Sequence, residues 1–226
     1  MPLEDHPLRY WLANELHARP FPNISAPAQA IYVAIKQPKD AAKRDRGLDR
    51  AHLLALLDRF GADHPAPDAT HYFGDLGKFR LKWEQHTEFV TYTAFLPSNG
   101  ERPFDPASWE AFPEDWLARA PGVRITSAHI RVEIAPDDDR AIANRLNEWM
   151  VPESLAVSHV LDRTAVVAGD FRIDSNGHMR FAVFCRSDTG SRRIGRVVQR
   201  ICEIETYKAM SMLGLPLSRS ISGRMG

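Results

Sequence analysis

The strand-like segments of this sequence occur in consecutive runs, and this grouping constrains the fold more than any other feature. The first run extends from Thr70 to Leu96 and contains a turn signal at Asp75–Lys78. The second run consists of Ala156–Leu161, Ala165–Ile173 and Met179–Cys185. Consecutive strands joined by short turns pair antiparallel, whereas strict alternation with helices favours a parallel sheet. We therefore predict an α+β fold with a mainly antiparallel or mixed sheet, packed helices and a long C-terminal helix.

The first run changes its hydrophobic phase near Thr87. Apolar residues occupy alternate positions from Phe79 to Trp83, and the apolar phase then moves to Val90 and the positions after it. Either a turn lies near Gln85–Thr87, or one strand becomes buried on both faces. We prefer the turn, which gives a three-stranded meander.

Helix patterns are clearest at the two ends of the chain. An apolar face at helical spacing predicts a helix over Pro7–Ala18, and Asp49 is a plausible cap for a second helix. The final helix, Arg192–Leu213, has apolar residues on too many sides for one narrow seam. We therefore expect it to contact more than one partner. The candidate interface residues are Ile194, Val198, Ile201, Tyr207 and Met210.

This pattern predicts two parts of the chain. Residues 1–189 would form the α+β body, and residues 190–226 would form a helix that leads toward a helical or membrane region absent from this chain. The sequence has 29 Lys and Arg residues against 29 Asp and Glu residues, so it lacks the charge bias of a disordered chain or a nucleic-acid binder. Two cysteines form no disulfide framework, and the first residues lack a signal-peptide pattern. We expect a cytoplasmic protein without a nucleic-acid partner.

Charged residues alternate along the segment Phe79–Glu88. An extended strand would place Arg80, Lys82, Glu84, His86 and Glu88 on one face. Such a row is suited to binding a small charged ligand, to acid–base chemistry, or to a metal held by its last three members. The plainer interpretation, which we favour, is a solvent-facing strand whose charges pair with a neighbour. One strand seldom surrounds a cation, so we predict no metal and no cofactor.

His17 and Arg19 lie near the end of the predicted first helix. Their positions suit ordinary interaction with the helix dipole, and they would also suit a carboxylate or anion site. If this helix lies over the meander, His17 and Arg19 join Arg80, Glu84, His86 and Glu88 in one polar pocket. We state this convergence as a prediction.

Common catalytic motifs are missing from the sequence. It contains no G-x-G-x-x-G, P-loop, G-x-S-x-G or H-E-x-x-H pattern. Cys185 and Cys202 lie in apolar surroundings typical of buried structural thiols. We therefore favour a non-enzymatic protein. The alternative is a hydrolase or a metal-assisted enzyme that uses the His, Glu and Arg candidates.

Three sequence blocks together resemble a known family. They are His6–Arg9 with Asn14–Pro20, Phe79–Glu84 with His86–Phe89 and Thr91–Thr93, and Glu203–Tyr207 with Leu213–Leu217. These blocks are similar to those of the bacterial Domain of Unknown Function 3422 family, whose members are usually described as membrane-anchored. The resemblance implies that the chain continues into long helices and membrane segments in longer members. We expect a cytoplasmic sensing or interaction domain that forms homo-oligomers, binds a small charged ligand and lies at the inner face of the bacterial membrane.

Overall fold

The computed structural model describes residues 4–7, 9, 21–97 and 102–222. Its strands are β1 (Ala28–Lys36), β2 (His71–Asp75), β3 (Arg80–Gln85), β4 (Phe89–Pro97), β5 (Val123–Ile134), β6 (Ala156–Val160), β7 (Ala165–Ile173) and β8 (Met179–Cys185). Its α-helices are α1 (Arg46–Phe60), α2 (Glu114–Leu117), α3 (Asp139–Trp149), α4 (Ser191–Met212) and α5 (Gly214–Ser222). Short 3-10 helices span Ala41–Lys43, Pro106–Ala111 and Pro152–Ser154.

Within the described residues, one mixed sheet of eight strands organises the molecule. The strand order is β2-β3-β4-β1-β5-β8-β7-β6. The pair β5–β8 is parallel, and every other neighbouring pair is antiparallel. The predicted α+β class, the mixed sheet and the long C-terminal helix are confirmed. The meander β2–β3–β4 and its second turn near Gln85–Thr87 are also as predicted.

Strand alternation separates two hydrophobic layers. On one face, α4 covers the middle of the sheet, where Tyr32, Ile130 and Val183 meet Val198 and Ile201. On the opposite face, α1 and α2 cover β1, β3 and β4, while α3 covers β7 and β8. Successive residues of a strand point to opposite faces, so each central strand contributes to both layers. The first half of α4 is therefore part of the α+β body.

A glycine allows the chain before β1 to pack against α4. A Cβ atom built on Gly195 would lie 1.8 Å from the carbonyl oxygen of Pro22. The backbone of Ile24 donates a hydrogen bond of 3.1 Å to the carbonyl oxygen of Ser191. Only glycine, which has no side chain, permits this close approach. The packing that it allows outweighs the low helix propensity of glycine.

The second predicted helix begins earlier than the sequence pattern indicated. Asp45 is its N-cap and accepts a hydrogen bond of 2.8 Å from the backbone of Gly47. Asp49 is instead buried in the first turn, where Arg44 binds it, so its assignment as the cap was wrong. The predicted helix over Pro7–Ala18 lies largely outside the described residues and stays a prediction.

A buried polar seam separates the α1 layer from the α3 layer. His129 on β5 hydrogen-bonds Gln29, and His178 hydrogen-bonds Ser127 at 2.9 Å. The ring of Trp109 stacks on His178 with a centroid separation of 3.4 Å. Burial lowers the pKa of both imidazoles to about 4. The nearby His178 lowers the pKa of His129 further, and the charge of Arg124 does the same to the pKa of His178. Both histidines are therefore neutral at pH 7.

This seam predicts a loss of stability in mild acid. The folded-state pKa values lie below the usual 6.5, so stability is complete above about pH 6.5 and falls as the pH drops toward 4. At pH 5 each histidine should cost about 2 kcal/mol of unfolding free energy. Urea denaturation should show that His129→Gln flattens this pH dependence, while the exposed His71→Gln control leaves it intact. Equal pH slopes for the wild type and both variants would contradict the assignment.

Candidate functional site

Polar side chains form a band on the α4 face of the meander. Lys82 and Glu84 on β3 alternate with buried Leu81 and Trp83, which point toward α1. On β4, Thr93 lies opposite Lys82, and Thr91 lies opposite Glu84. On β1, Tyr32 extends the first of these rows. The strand register thus concentrates charges and hydroxyls at one position of an otherwise apolar sheet face.

The C-terminal half of α4 and this band enclose a cavity of about 510 Å³. Its volume suits a small organic molecule. The side chains that line it come from β1, β3, β4, the β3–β4 turn and α4. They are Tyr32, Glu84, His86, Phe89, Thr91, Thr93, Gln199, Arg200, Cys202, Glu203, Ile204, Thr206, Tyr207, Lys208 and Ser211.

A buried ion pair lies at the edge of the cavity. The Nζ atom of Lys82 is 3.1 Å from Oε2 of Glu84, and both side chains are at most 7% exposed. The same ammonium donates a hydrogen bond of 2.6 Å to Oε1 of Gln199. The amide of Gln199 in turn donates to Glu203 at 2.9 Å. This chain of contacts connects the centre of the meander to the surface of α4.

Hydroxyl and thiol groups form the deeper wall. Thr206 donates its hydroxyl hydrogen to the carbonyl oxygen of Cys202 at 2.9 Å, so the Tyr32 hydroxyl donates to Thr206. Burial raises the pKa of Cys202 and of Tyr32 well above their ordinary values, and the negative charge of Glu84 adds to both shifts. The thiol and the phenol are therefore neutral, which makes Cys202 a poor nucleophile.

Arg44 fixes the turn that carries His86. Its buried guanidinium donates a hydrogen bond of 2.8 Å to the Asp49 carboxylate. It also donates to three carbonyl oxygens of the turn, those of His86 at 2.7 Å, Phe89 at 3.0 Å and Thr87. The ring of His86 stacks on Phe89 with centroids 4.3 Å apart. A planar fork of five N–H groups is well suited to collecting several carbonyl oxygens. Arg44 is therefore a positioning residue for the cavity.

The structure separates the predicted row of charged residues. Glu84 and His86 line the cavity, and Lys82 pairs with Glu84 without lining it. Glu88 instead pairs with Lys36 at 2.8 Å. Arg80 donates to the carbonyl oxygen of Asn23 and lies 5.8 Å from the centre of the Phe73 ring. The turn after Gln85 breaks the row, as we expected. His17 and Arg19 lie outside the described residues, so their convergence with this group stays a prediction.

The candidate interface residues on α4 fall into two groups. Ile194, Val198 and Ile201 are buried against the sheet of the same chain, which corrects their prediction as interface residues. Their spread around the helix reflects packing inside the protein. Tyr207 and Met210 are half-buried. From residue 204 to the end of the described chain, the exposed large apolar residues are Ile204, Met212, Leu213 and Leu215.

The family-model comparison covers almost the entire chain. The model described as "Protein of unknown function (DUF3422)" matches residues 4–226. The chain belongs to the DUF3422 family. A search of curated proteins finds no match.

Two further findings concern the described part of this DUF3422 domain. Among the described residues, no group of three or more His, Cys, Asp and Glu side chains is arranged to hold a metal ion. No helix in the same part of the chain is long and apolar enough to span a bilayer.

Several lining residues of the DUF3422 cavity were missed by the sequence analysis. Thr91 and Thr93 alternate with Val90 and Tyr92 in a strand that is apolar on its other face. That alternation was the available signal, because a fully buried strand with regularly spaced hydroxyls points to a polar partner on one side. Gln199 carried no comparable signal, since a single amide on a helix is compatible with any exposed position.

The contacts of Arg44 predict a strong effect of a conservative change. Arg44→Lys keeps the positive charge but loses the planar set of guanidinium N–H groups. Carbonyl oxygens of the β3–β4 turn are then left without donors. We expect a loss of about 3 kcal/mol in unfolding free energy. Arg59→Lys is the matched control, because Arg59 forms a similar fork with Asp115 at the surface. The control should leave the urea midpoint close to that of the wild type, because exposed ion pairs contribute little to stability. Similar urea midpoints for the two variants would refute the positioning role.

Proposed function

We propose that this DUF3422 domain is a non-enzymatic sensing domain that binds a small polar molecule between α4 and the meander. The buried polar band that faces the cavity is the observation that carries the proposal. Glu84, Thr91 and Thr93 line the cavity, and Glu84 is almost completely buried together with its ion-pair partner Lys82. Buried polar groups that border a cavity of ligand size are typical of binding sites.

Stability alone explains this band poorly. Apolar residues of similar volume often replace a buried ion pair without loss of stability. The remainder of the α4 face follows that simpler arrangement, with Ala128, Ile130 and Val132 against α4. The meander departs from it at Lys82 and Glu84, beside the cavity, which supports a chemical role for this pair.

Binding fits the cavity better than catalysis. The enzyme alternative requires an activated nucleophile or a group whose titration suits proton transfer at neutral pH. Burial keeps the Cys202 thiol and the Tyr32 hydroxyl in their neutral forms. Both groups are thus better suited to hydrogen bonding and packing than to attack on a substrate.

The position of α4 provides a route by which binding would be transmitted. One half of the helix packs on the sheet, and the other half lines the cavity and leads into α5. A ligand that contacts Gln199 and Tyr207 would favour one position of this second half. We also propose a cytoplasmic location at the inner face of the membrane, where the membrane attachment is what the family resemblance implies.

A cavity-filling variant tests the proposal. Thr91→Met places a longer side chain into the cavity and should weaken ligand binding at least tenfold. Thr126→Met is the control, because Thr126 lies on β5 away from the cavity. A library of small polar metabolites is screened against the three proteins by ligand-observed NMR. We expect compounds that bind the wild type and the control but not Thr91→Met. The absence of binders, or binders unaffected by Thr91→Met, would contradict the proposal.

We also propose that the end of α4 and the start of α5 contact a second copy of this chain. Met212 is 57% exposed and Leu213 is 48% exposed, and both lie beyond Thr206, the last buried residue of α4. Exposed apolar side chains grouped on one helical segment favour association.

This self-association is measurable by sedimentation. The double variant Met212→Glu/Leu213→Glu should shift the protein toward monomer, because carboxylates at an apolar contact are costly to bury. Ile173→Glu is the control, since Ile173 on β7 is an apolar residue that is more exposed than either of these two. A wild type that remains monomeric over the full concentration range would exclude this contact.

A further inference from the structure

We infer that the ligand of the α4 cavity is a zwitterion of amino-acid size, carrying an ammonium and a carboxylate together with an apolar group. This inference rests on the proposed function and specifies the chemistry of the same site. It follows from three observations: the pairing of charges around the cavity, the burial of one of those pairs, and the apolar side chains that also line the cavity.

Charges around the cavity occur in balanced pairs. Among the described residues, Lys82 pairs with Glu84 at 3.1 Å, Arg200 pairs with Glu203 at 2.5 Å, and Lys208 pairs with Glu205 at 2.6 Å. Of these six groups, the carboxylates of Glu84 and Glu203 and the cations of Arg200 and Lys208 line the cavity, so the lining has no net charge from them to attract a purely anionic or cationic ligand. A neutral ligand that presents both charges matches this arrangement.

Burial of Lys82 and Glu84 makes the balance decisive. Glu84 lines the cavity, whereas Lys82 is its buried partner and is not among the lining residues. An anion alone would face the Glu84 carboxylate, and a cation alone would draw that carboxylate away from Lys82. Breaking a buried pair in this way is expensive, because one charge remains uncompensated. A zwitterion offers its ammonium to Glu84 and its carboxylate to Arg200 or Lys208 on the α4 wall, so the charges it adds are balanced and Glu84 keeps Lys82.

Apolar side chains define the remainder of the ligand. Phe89, Ile204 and Tyr207 line the cavity, and the rings of Phe89 and Tyr207 meet edge to face with centroids 6.3 Å apart. The hydroxyls of Thr91 and Thr93 add hydrogen-bonding groups beside the ion pair. A cavity of about 510 Å³ accommodates an amino acid with a large apolar side chain.

L-phenylalanine and two single-charge analogues test the inference by calorimetry at pH 7. The analogue 2-phenylethylammonium lacks the carboxylate, and 3-phenylpropanoate lacks the ammonium. We expect L-phenylalanine to bind at least tenfold more tightly than either analogue. Equal or tighter binding of an analogue would overturn the zwitterion while leaving the proposed function in place. No binding by any of the three would also overturn it, and the metabolite screen with Thr91→Met then decides the proposed function separately.

A pair of double variants assigns the effect to the buried charges. Lys82→Met/Glu84→Gln removes both charges together, so neither is left unpaired, and should weaken L-phenylalanine binding at least tenfold. Lys36→Met/Glu88→Gln is the matched control, since this ion pair joins β1 to the β3–β4 turn outside the cavity. Equal affinities of the two double variants would overturn the assignment. If the first variant fails to fold, the comparison of analogues on the wild-type protein remains decisive.

Discussion

The two-residue repeat of the central strands is the constraint on which this structure depends. It directs Ile31, Leu81 and Tyr92 toward α1 while Tyr32, Lys82 and Thr93 point toward α4. A shift of one residue in register would exchange the two sets and bury charges against the apolar face of α1. The hydrophobic layer on one face therefore holds the polar band in place on the other. The candidate site is a consequence of that pairing.

The long helix α4 converts this band into a cavity. Its first half completes the hydrophobic core, and the contact of Gly195 with Pro22 fixes its position. Its second half extends over β3 and β4, where the sheet offers polar side chains in place of an apolar surface. Arg44 holds the meander wall of the cavity in place, because it donates hydrogen bonds to carbonyl oxygens of the β3–β4 turn. Rigid elements thus hold the cavity on both sides, as precise binding sites require.

Local patterns were sufficient to predict the architecture. Period-two alternation and the Asp75–Lys78 turn predicted strands of the meander, and the order of strands predicted the α+β class. The start of α1 was placed four residues too late, because Asp49 has the properties of a cap while its real role depends on Arg44. Ion pairing between residues that meet only after folding has no signature in a single segment.

Prediction of the site was limited for the same reason. Lys82, Glu84 and His86 were identified from one strand, whereas Tyr32 and Gln199 join them only through sheet pairing and the path of α4. The helix itself was misinterpreted in part. Apolar residues on many sides of a helix are compatible with an interface and with a thick core, and Ile194 and Val198 belong to the core.

Hydrogen exchange with and without saturating L-phenylalanine tests the central claim most directly, because it locates binding along the chain. The account predicts slower amide exchange in residues 84–93 and 199–211, which form the two walls of the cavity, and unchanged exchange in residues 156–173 at the far edge of the sheet. Unchanged exchange in both walls, or protection confined to the far edge, would contradict it.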